Sequence, residues 1–219
     1  MTVVRGEPLI IAPDRLPASV LELVHRTVER RPNKEALRWK SGSGWSSWTY
    51  SQLWEQIAAT SIGLRGMGLA AGDRVVILSR SRPEWVVADL ACMALGAVTC
   101  PIYPADPPAR MARIVREVDA RFVIVEDERL LQRLRSGFED GELPGSVVLF
   151  DSNESAGSRS LAAVAGEGAT GSARGAWDRM WRSARPDQVA TIVHTIGTDG
   201  IPLGVVVRHG NLVHSFHAI

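Results

Sequence analysis

The stretch "RVVILSRSRPEWVVADLACMALGAVTCPIYP", residues 74–104, contains the pattern that decides the fold. Its first segment, Arg74–Leu78, is a short apolar run that predicts a strand, and Ala97–Cys100 is a second run of the same kind. Between them, Pro83 predicts the start of a helix that continues through Leu95, because proline is favoured in the first helical turn. The stretch therefore predicts a strand, a helix and a second strand in that order.

The same alternation of short strands and amphipathic helices continues along the chain. Further helices are predicted over Pro107–Val118 and Asp127–Arg135, and further strands over Arg121–Val125, Ser146–Phe150, Val189–Val193 and Val205–Val207. Continuous apolar strands that alternate with helices are typical of a parallel sheet covered on both faces. The sequence therefore predicts an α/β fold.

The residues before this region predict a helix, a hairpin and a second helix. Residues 17–30 carry apolar groups at helical spacing. Residues 35–39 and 45–49 alternate around a Ser-Gly-Ser-Gly turn and predict a β-hairpin. Thr49 then precedes Gln52 by three positions, which is the spacing of a capping box at the start of a helix.

Residues 151–176 interrupt the alternation. They are rich in Ser, Gly and Ala and poor in large apolar side chains. This composition predicts a long mobile loop, with one helical turn near Leu161–Ala165. A short helix is expected over Trp177–Ala184, and Asn211 is expected to be the N-cap of a final helix.

The bulk composition excludes several function classes. The 219 residues are 45% hydrophobic and carry a formal net charge of +1, so no strong field indicates nucleic acid or an acidic membrane surface as a partner. The N-terminus lacks the pattern of a signal peptide, and no run approaches the ~20 apolar residues of a membrane span. We therefore expect a cytoplasmic protein in which Cys92 and Cys100 are buried free thiols.

A glycine-rich stretch near the end of the sequence, "HTIGTDGIPLGVVVRHGNL" at 194–212, is the candidate binding site. A glycine-rich turn between two strands directs backbone N–H groups into one concavity, which attracts anions. The alternative interpretation is a plain turn that connects two strands. The candidate phosphate-binding residues are Thr195, Gly197, Thr198, Gly200 and Gly204.

Other conspicuous side chains have structural interpretations. His194 and His209 flank the loop and could form a proton-handling pair, but a positioning role is favoured. Glu84 and Trp85 are expected to complement a helix dipole and to pack, respectively. Tyr103 is interpreted as part of a rigid turn, and the tryptophans as core or subdomain-contact residues.

From about Pro17 to Asn211 the sequence resembles the AMP-forming, adenylate-forming acyl-CoA synthetases, most closely their long-chain fatty-acid–CoA ligases. The loop is similar to the family's Thr-Ser-Gly-Thr-Thr-Gly-x-Pro-Lys-Gly-Val, followed by Thr-His-x-Asn-Leu. Residues 81–104, with Arg-Pro-Glu-Trp and Gly-Ala-Val-x-x-Pro-Ile-Tyr-Pro, are typical of the long-chain branch, and residues 48–78 and 185–200 also match. The resemblance implies that 1–219 is a partial N-terminal AMP-binding domain, truncated after the phosphate loop.

Three loop positions differ from the family pattern. Ile196 replaces its serine, Asp199 its second threonine and Leu203 its lysine. Each lost charge-assisted hydrogen bond contributes roughly 1.5–3 kcal/mol, and Asp199 adds repulsion, so the combined loss is on the order of 4–8 kcal/mol. We expect ATP binding to be weak or absent.

The resemblance implies ATP, Mg²⁺ and coenzyme A as co-substrates and cofactor, and a fatty acid as substrate. The family's magnesium-binding acid and adenylation lysine have no counterparts here, so we assign no catalytic residue and no metal ligand. Three hypotheses follow: a truncated ligase that is inactive alone, one subunit of a split ligase that a partner polypeptide completes, and a non-catalytic regulatory or binding module.

Overall fold

The computed structural model describes residues 16–151, 157–169, 173–196 and 202–217. Within these ranges the chain forms a seven-stranded sheet with helices on both faces, and a separate two-stranded hairpin. The predicted α/β class is confirmed. No helix in the described ranges is both long and apolar enough to cross a bilayer.

The helices follow the predicted order closely. They are α1 (Val20–Arg30), α2 (Tyr50–Gly66), α3 (Pro83–Ala94), α4 (Pro108–Glu117), α5 (Glu128–Arg135), α6 (Leu161–Gly168), α7 (Arg174–Arg182) and α8 (His209–His217). The predicted capping box is present, since the Thr49 hydroxyl accepts from the Gln52 N–H and the Gln52 side chain accepts from the Thr49 N–H. Asn211 is not the N-cap of α8. It is the third residue of that helix, and its side chain accepts from the Arg208 N–H at 2.9 Å.

The strands divide between the hairpin and the main sheet. They are β1 (Glu35–Ser41), β2 (Gly44–Thr49), β3 (Arg74–Leu78), β4 (Val98–Ile102), β5 (Ala120–Val125), β6 (Ser146–Leu149), β7 (Ser158–Ser160), β8 (Val189–Ile196) and β9 (Pro202–Arg208). The strand order of the sheet is β7-β6-β5-β3-β4-β8-β9. All neighbours are parallel except β8 and β9, which pair antiparallel. The connection over 197–201 is too short for a crossover, so β9 can only reverse direction beside β8.

Side chains that alternate along each central strand feed two separate cores. Val75 and Ile77 of β3 pack with α1, α2, α3, α6 and α7. Val76 and Leu78 of the same strand pack with α4 and α5 on the opposite face. Successive residues of a strand point to opposite faces, so both faces of β3 are buried. Cys92 and Cys100 are buried and unpaired, as predicted.

In the described part of 151–176 the interpretation as a long loop is wrong, but the helical turn expected near Leu161–Ala165 is present as the start of α6. Residues 158–168 form β7 and α6, and Leu161 and Val164 are buried. The Ser160 hydroxyl caps α6 by accepting from the Ala163 N–H at 3.2 Å. The small residues that resemble a loop composition instead allow α6 to approach α2 closely. Residues 152–156 and 170–172 lie outside the described residues.

Candidate phosphate loop and adjoining cleft

The antiparallel pair β8–β9 holds the two ends of the glycine-rich loop. Thr195 lies opposite Leu203, and His194 lies opposite Gly204. The structure therefore brings Thr195 and Gly204, two of the candidate phosphate-binding residues, to neighbouring positions of one hairpin. The other candidates, Gly197, Thr198 and Gly200, lie outside the described residues. A phosphate-binding role for any of the five stays a prediction.

Gly204 has a packing reason to lack a side chain. A Cβ atom at this position would lie 3.1 Å from the Cγ2 atom of Ile192 and 3.3 Å from the Nε2 atom of His194. These distances are shorter than ordinary van der Waals contact, so any larger residue would displace the imidazole. The absent side chain at Gly204 thus leaves room for the His194 ring.

Of the two histidines that flank the loop, His209 is buried and His194 is partly buried. Burial lowers the pKa of His194, and the charge of Glu117 partly opposes this shift. Burial also lowers the pKa of His209, which begins α8 and is 1% exposed. Neither Nδ1 atom has a hydrogen-bond partner among the described residues. At neutral pH both rings are therefore uncharged, which suits positioning rather than neutralisation of a phosphate charge.

A cleft of about 270 Å³ lies beside the loop-bearing hairpin. Its lining residues are Ser79, Ser81, Trp85, Pro101, Ile102, Tyr103, Val193 and His194. Ser79 and Ser81 follow β3, Ile102 and Tyr103 end and follow β4, and Val193 and His194 lie in the second half of β8. The cleft therefore lies toward the carboxyl edge of the parallel strands, where α/β proteins bind ligands. Aromatic and apolar walls with a few hydroxyl groups are the usual composition of a small-molecule site.

Sequence reasoning missed this cleft. Trp85 lies in the first turn of α3 and packs partly against the core, but it also lines the cleft. Tyr103 is 75% exposed and lines the same space. Their positions in the sequence could have indicated this role, because both residues come shortly after the carboxyl end of a predicted strand.

A buried carboxylate lies at the same edge of the sheet, between β3 and β5. Glu126 accepts hydrogen bonds from the Ser79 hydroxyl at 3.1 Å, the Arg80 backbone N–H at 2.8 Å and the Arg80 Nε at 2.9 Å. Burial raises the pKa of Glu126, but these donors and the charge of Arg80 outweigh it and lower the pKa to about 2. Glu126 is therefore ionised and fixes the turn after β3, from which Ser79 and Ser81 enter the cleft wall.

The described ranges show no group of three or more His, Cys, Asp or Glu side chains suited to hold a metal ion. No residue of this chain is assigned to Mg²⁺.

Comparison with known proteins gives the family. Residues 24–219 match the family model described as AMP-binding enzyme. A long-chain-fatty-acid–CoA ligase of Mycobacterium bovis is 33% identical over 185 residues, which cover 78% of this chain and 28% of the relative. A ligase of the same description from Rattus norvegicus is 29% identical over 90% of this chain and 30% of its own length. A hybrid PKS-NRPS synthetase of Thermothelomyces thermophilus is 28% identical over 96% of this chain and 5% of its own length.

Solved structures share the fold. VinN in complex with L-aspartate has a TM-score of 0.70 and 26% identity, over 91% of this chain and 51% of that chain. The anthranilate CoA ligase AuaEII, in complex with anthranoyl-AMP, has a TM-score of 0.73 and 20% identity, over 91% of this chain and 36% of that chain. This chain spans less than a third of the ligases it matches. With a family model over most of its residues, the chain belongs to the AMP-binding enzyme family and has the fold of the N-terminal subdomain of adenylate-forming enzymes.

Proposed function

We propose that this chain provides the scaffold and part of the phosphate loop of a long-chain fatty-acid–CoA ligase, and that alone it does not complete the reaction. The observation that carries the proposal is the β8–β9 hairpin, which holds Thr195 and Gly204 beside a cleft at the carboxyl edge of the sheet. Similarity to long-chain ligases supports the substrate class.

The proposed reaction has two steps. The carboxylate of the fatty acid attacks the α-phosphate of ATP, which forms an acyl-adenylate and releases pyrophosphate. The thiol of coenzyme A then attacks the acyl carbon, and AMP leaves. In this scheme the loop holds phosphate oxygens through backbone N–H groups, and the cleft receives a neighbouring non-phosphate part of a substrate.

The proposed inactivity rests on the changed loop positions. The Leu203 side chain is 60% exposed at the start of β9, opposite Thr195. The family's loop has a lysine at this position, and an isobutyl group supplies neither its charge nor its donors. Backbone groups alone would then hold the triphosphate, against the added negative charge of Asp199.

The split-ligase alternative has support of its own. Val193 of β8 pairs with Val205 of β9, and Leu203 lies two positions before Val205. All three side chains are exposed. A contiguous apolar surface of this kind often marks a contact with further protein. Either further sequence of the same polypeptide or a partner chain could cover this apolar surface.

A thermal melt with Mg-ATP tests the proposal. We expect the melting temperature of the chain to be unchanged by millimolar Mg-ATP, whereas the triple variant Ile196→Ser, Asp199→Thr, Leu203→Lys should gain stability. A ligand at about a hundred times its Kd adds about 2.7 kcal/mol, a readily measured shift. Asp140→Asn controls for the loss of one negative charge, because Asp140 is exposed and distant in sequence from the loop.

Three results would contradict different parts of the proposal. A shift of the unaltered chain with Mg-ATP would show that the loop still binds nucleotide. Fatty-acid-dependent release of pyrophosphate by the unaltered chain would show that it completes adenylation alone. If neither the chain nor the triple variant responds, the hairpin does not bind phosphate and the assignment of the loop is wrong.

A further inference from the structure

The hairpin β1–β2 stands apart from the main sheet and exposes one face. Lys40 pairs with Trp45 across the two strands, and Arg38 pairs with Ser47. Side chains alternate along a strand and paired residues share a face, so these four side chains lie on the same side of the hairpin. All four residues are exposed, and Trp45 is 59% exposed.

The opposite face accounts for the stability of the hairpin. Leu37 and Trp48 pack against the core that contains α1 and α2. The Trp39 and Trp48 rings meet edge to face, with centroids 5.0 Å apart. Because these contacts anchor the hairpin, the fold itself gives no reason for a tryptophan on the solvent side.

Trp45 lies among cations. The Arg38 Cζ atom is 5.1 Å from the ring centroid of Trp45, and the Lys40 Nζ atom is 5.9 Å from it. Exposed Arg30, Arg31 and Lys34 extend the basic character to the adjoining end of α1. Residues 29–45 hold five basic and two acidic side chains, a local charge of +3 in a chain of net charge +1. Both lysines of the chain are among them.

We propose that this face, defined by Arg38, Lys40 and Trp45, binds the surface of an anionic lipid bilayer. Basic side chains are attracted to the negative surface potential of such a bilayer. Tryptophan is favoured at the headgroup level, where its ring is buried in apolar material and its N–H stays hydrated. The two attractions act together on one rigid hairpin, and a single weak signal is insufficient for stable binding. The inference does not depend on the proposed ligase function.

Sedimentation with vesicles tests this binding. We expect the full chain to cosediment with phosphatidylcholine vesicles that contain about one third phosphatidylserine, and to bind phosphatidylcholine vesicles far more weakly. The double variant Arg38→Gln, Lys40→Gln should bind the anionic vesicles on the order of 20-fold more weakly, at about fivefold for each cation removed. Added salt should weaken binding of the unaltered chain in the same direction.

The matched control removes two exposed cations elsewhere. Arg65→Gln, Arg129→Gln changes the net charge equally, at the end of α2 and on α5, and should leave vesicle binding within about twofold. Trp45→Phe with brominated lipids gives a second readout, because quenching of tryptophan emission should occur in the unaltered chain and be lost in this variant. Circular dichroism and a thermal melt confirm that each variant is folded.

Three outcomes would overturn the inference. Equal weakening by the control variant would mean that net charge, not this face, governs binding. Unchanged binding of the hairpin variants would place the contact elsewhere. Binding to a soluble acidic polypeptide without binding to anionic vesicles would show that the face recognises a protein.

Discussion

At the scale of single residues, Glu126 is a buried carboxylate stabilised by hydrogen bonds instead of water. Its side chain is 4% exposed and accepts from Ser79 and Arg80. We expect Glu126→Gln to lower the free energy of unfolding by about 2 kcal/mol, because an uncharged amide accepts these bonds less strongly and brings donors of its own. Urea unfolding at neutral pH measures the difference.

The pH dependence of the Glu126→Gln difference has a definite sign. The pKa of Glu126 is lowered in the folded state from 4.5 to about 2. Its stabilising contribution is therefore complete above the unfolded value and is lost as the pH falls toward 2. Arg80→Gln is the control, and its effect should be smaller because the Arg80 backbone N–H and Ser79 still donate. A difference that persists at low pH would contradict the role given to the charge.

The contribution of Asp89 to stability should depend on pH in the opposite direction to that of Glu126. This partly buried residue lies on α3, and burial raises its pKa from 3.8 to about 6. The folded state then binds more protons than the unfolded state between these values, so stability falls as the pH rises through that window. We expect Asp89→Asn to raise the free energy of unfolding by about 1–2 kcal/mol at neutral pH, with the gain vanishing near pH 4.

The check on Asp89 is a set of urea titrations across the same pH range. The exposed Asp140 receives the same substitution as a control, and its effect should stay within about 0.5 kcal/mol. An Asp89→Asn variant that is less stable than the unaltered chain at neutral pH would mean that the carboxylate is stabilised in the fold.

Residues whose role is local were predictable from sequence, and residues whose role is tertiary were not. The Thr49–Gln52 capping box was visible because both partners lie within four residues. Glu126 was not identified, since its donors at Ser79 and Arg80 lie more than forty positions earlier. Trp45 was expected, like the other tryptophans, to be a core or subdomain-contact residue, yet only the pairing of β1 with β2 decides which face it occupies.

At the scale of elements, α2 and α6 meet backbone to backbone. A Cβ atom at Gly168 would lie 2.0 Å from the Ala59 carbonyl oxygen, whereas a Cβ atom at Gly166 of the same helix would meet nothing within 4 Å. We expect Gly168→Ala to destabilise the fold by about 2 kcal/mol through overpacking. Gly166→Ala should stabilise it by about 0.5–1 kcal/mol through helix propensity.

Thermal and urea unfolding of the two glycine variants measure these changes in stability. The pair differs only in position along one helix, so composition and intrinsic propensity cancel. Equal effects of Gly166→Ala and Gly168→Ala would mean that the close contact with α2 does not limit the packing.

The small residues of α6 explain why only its first part was predicted. The strands and helices of the central βαβ units are apolar runs of regular length, and periodicity alone finds them. In α6, Gly168 allows the close packing, and the small residues of the helix leave little apolar periodicity, so only a helical turn near Leu161–Ala165 was predicted within residues 158–168. Element boundaries near Pro83 and Pro108 were well predicted because proline fixes the first helical turn locally.

At the scale of the whole molecule, the fold class followed from the sequence but the strand order did not. The central strands β3, β4 and β5 are buried on both faces, which leaves no amphipathic pattern to specify their neighbours. The order places β8 beside β4 and thereby brings Val193 and His194 next to Trp85 and Tyr103. The cleft thus depends on a long-range pairing, and only the loop end of the candidate site could be predicted.

The net charge of the whole chain does not describe the charge of one face. A formal charge of +1 predicted no attraction to an acidic surface. The structure concentrates exposed cations at one hairpin, so the local field differs from the mean.

The exposed edge strand β9 should make the chain prone to self-association. In the described residues β9 is one of the two edge strands of the sheet, and its Val205 and Val206 are 48% and 52% exposed. An apolar edge strand with unpaired backbone groups pairs readily with another chain, and lysine is a side chain that natural edges use against this. We expect the purified chain to self-associate as its concentration rises, and the variant Val205→Lys, Val206→Lys to stay monomeric. Sedimentation velocity over a concentration series measures both, and a melting temperature within a few degrees of the unaltered chain confirms the fold. An unaltered chain that is monomeric throughout would contradict the view that this edge requires a covering element.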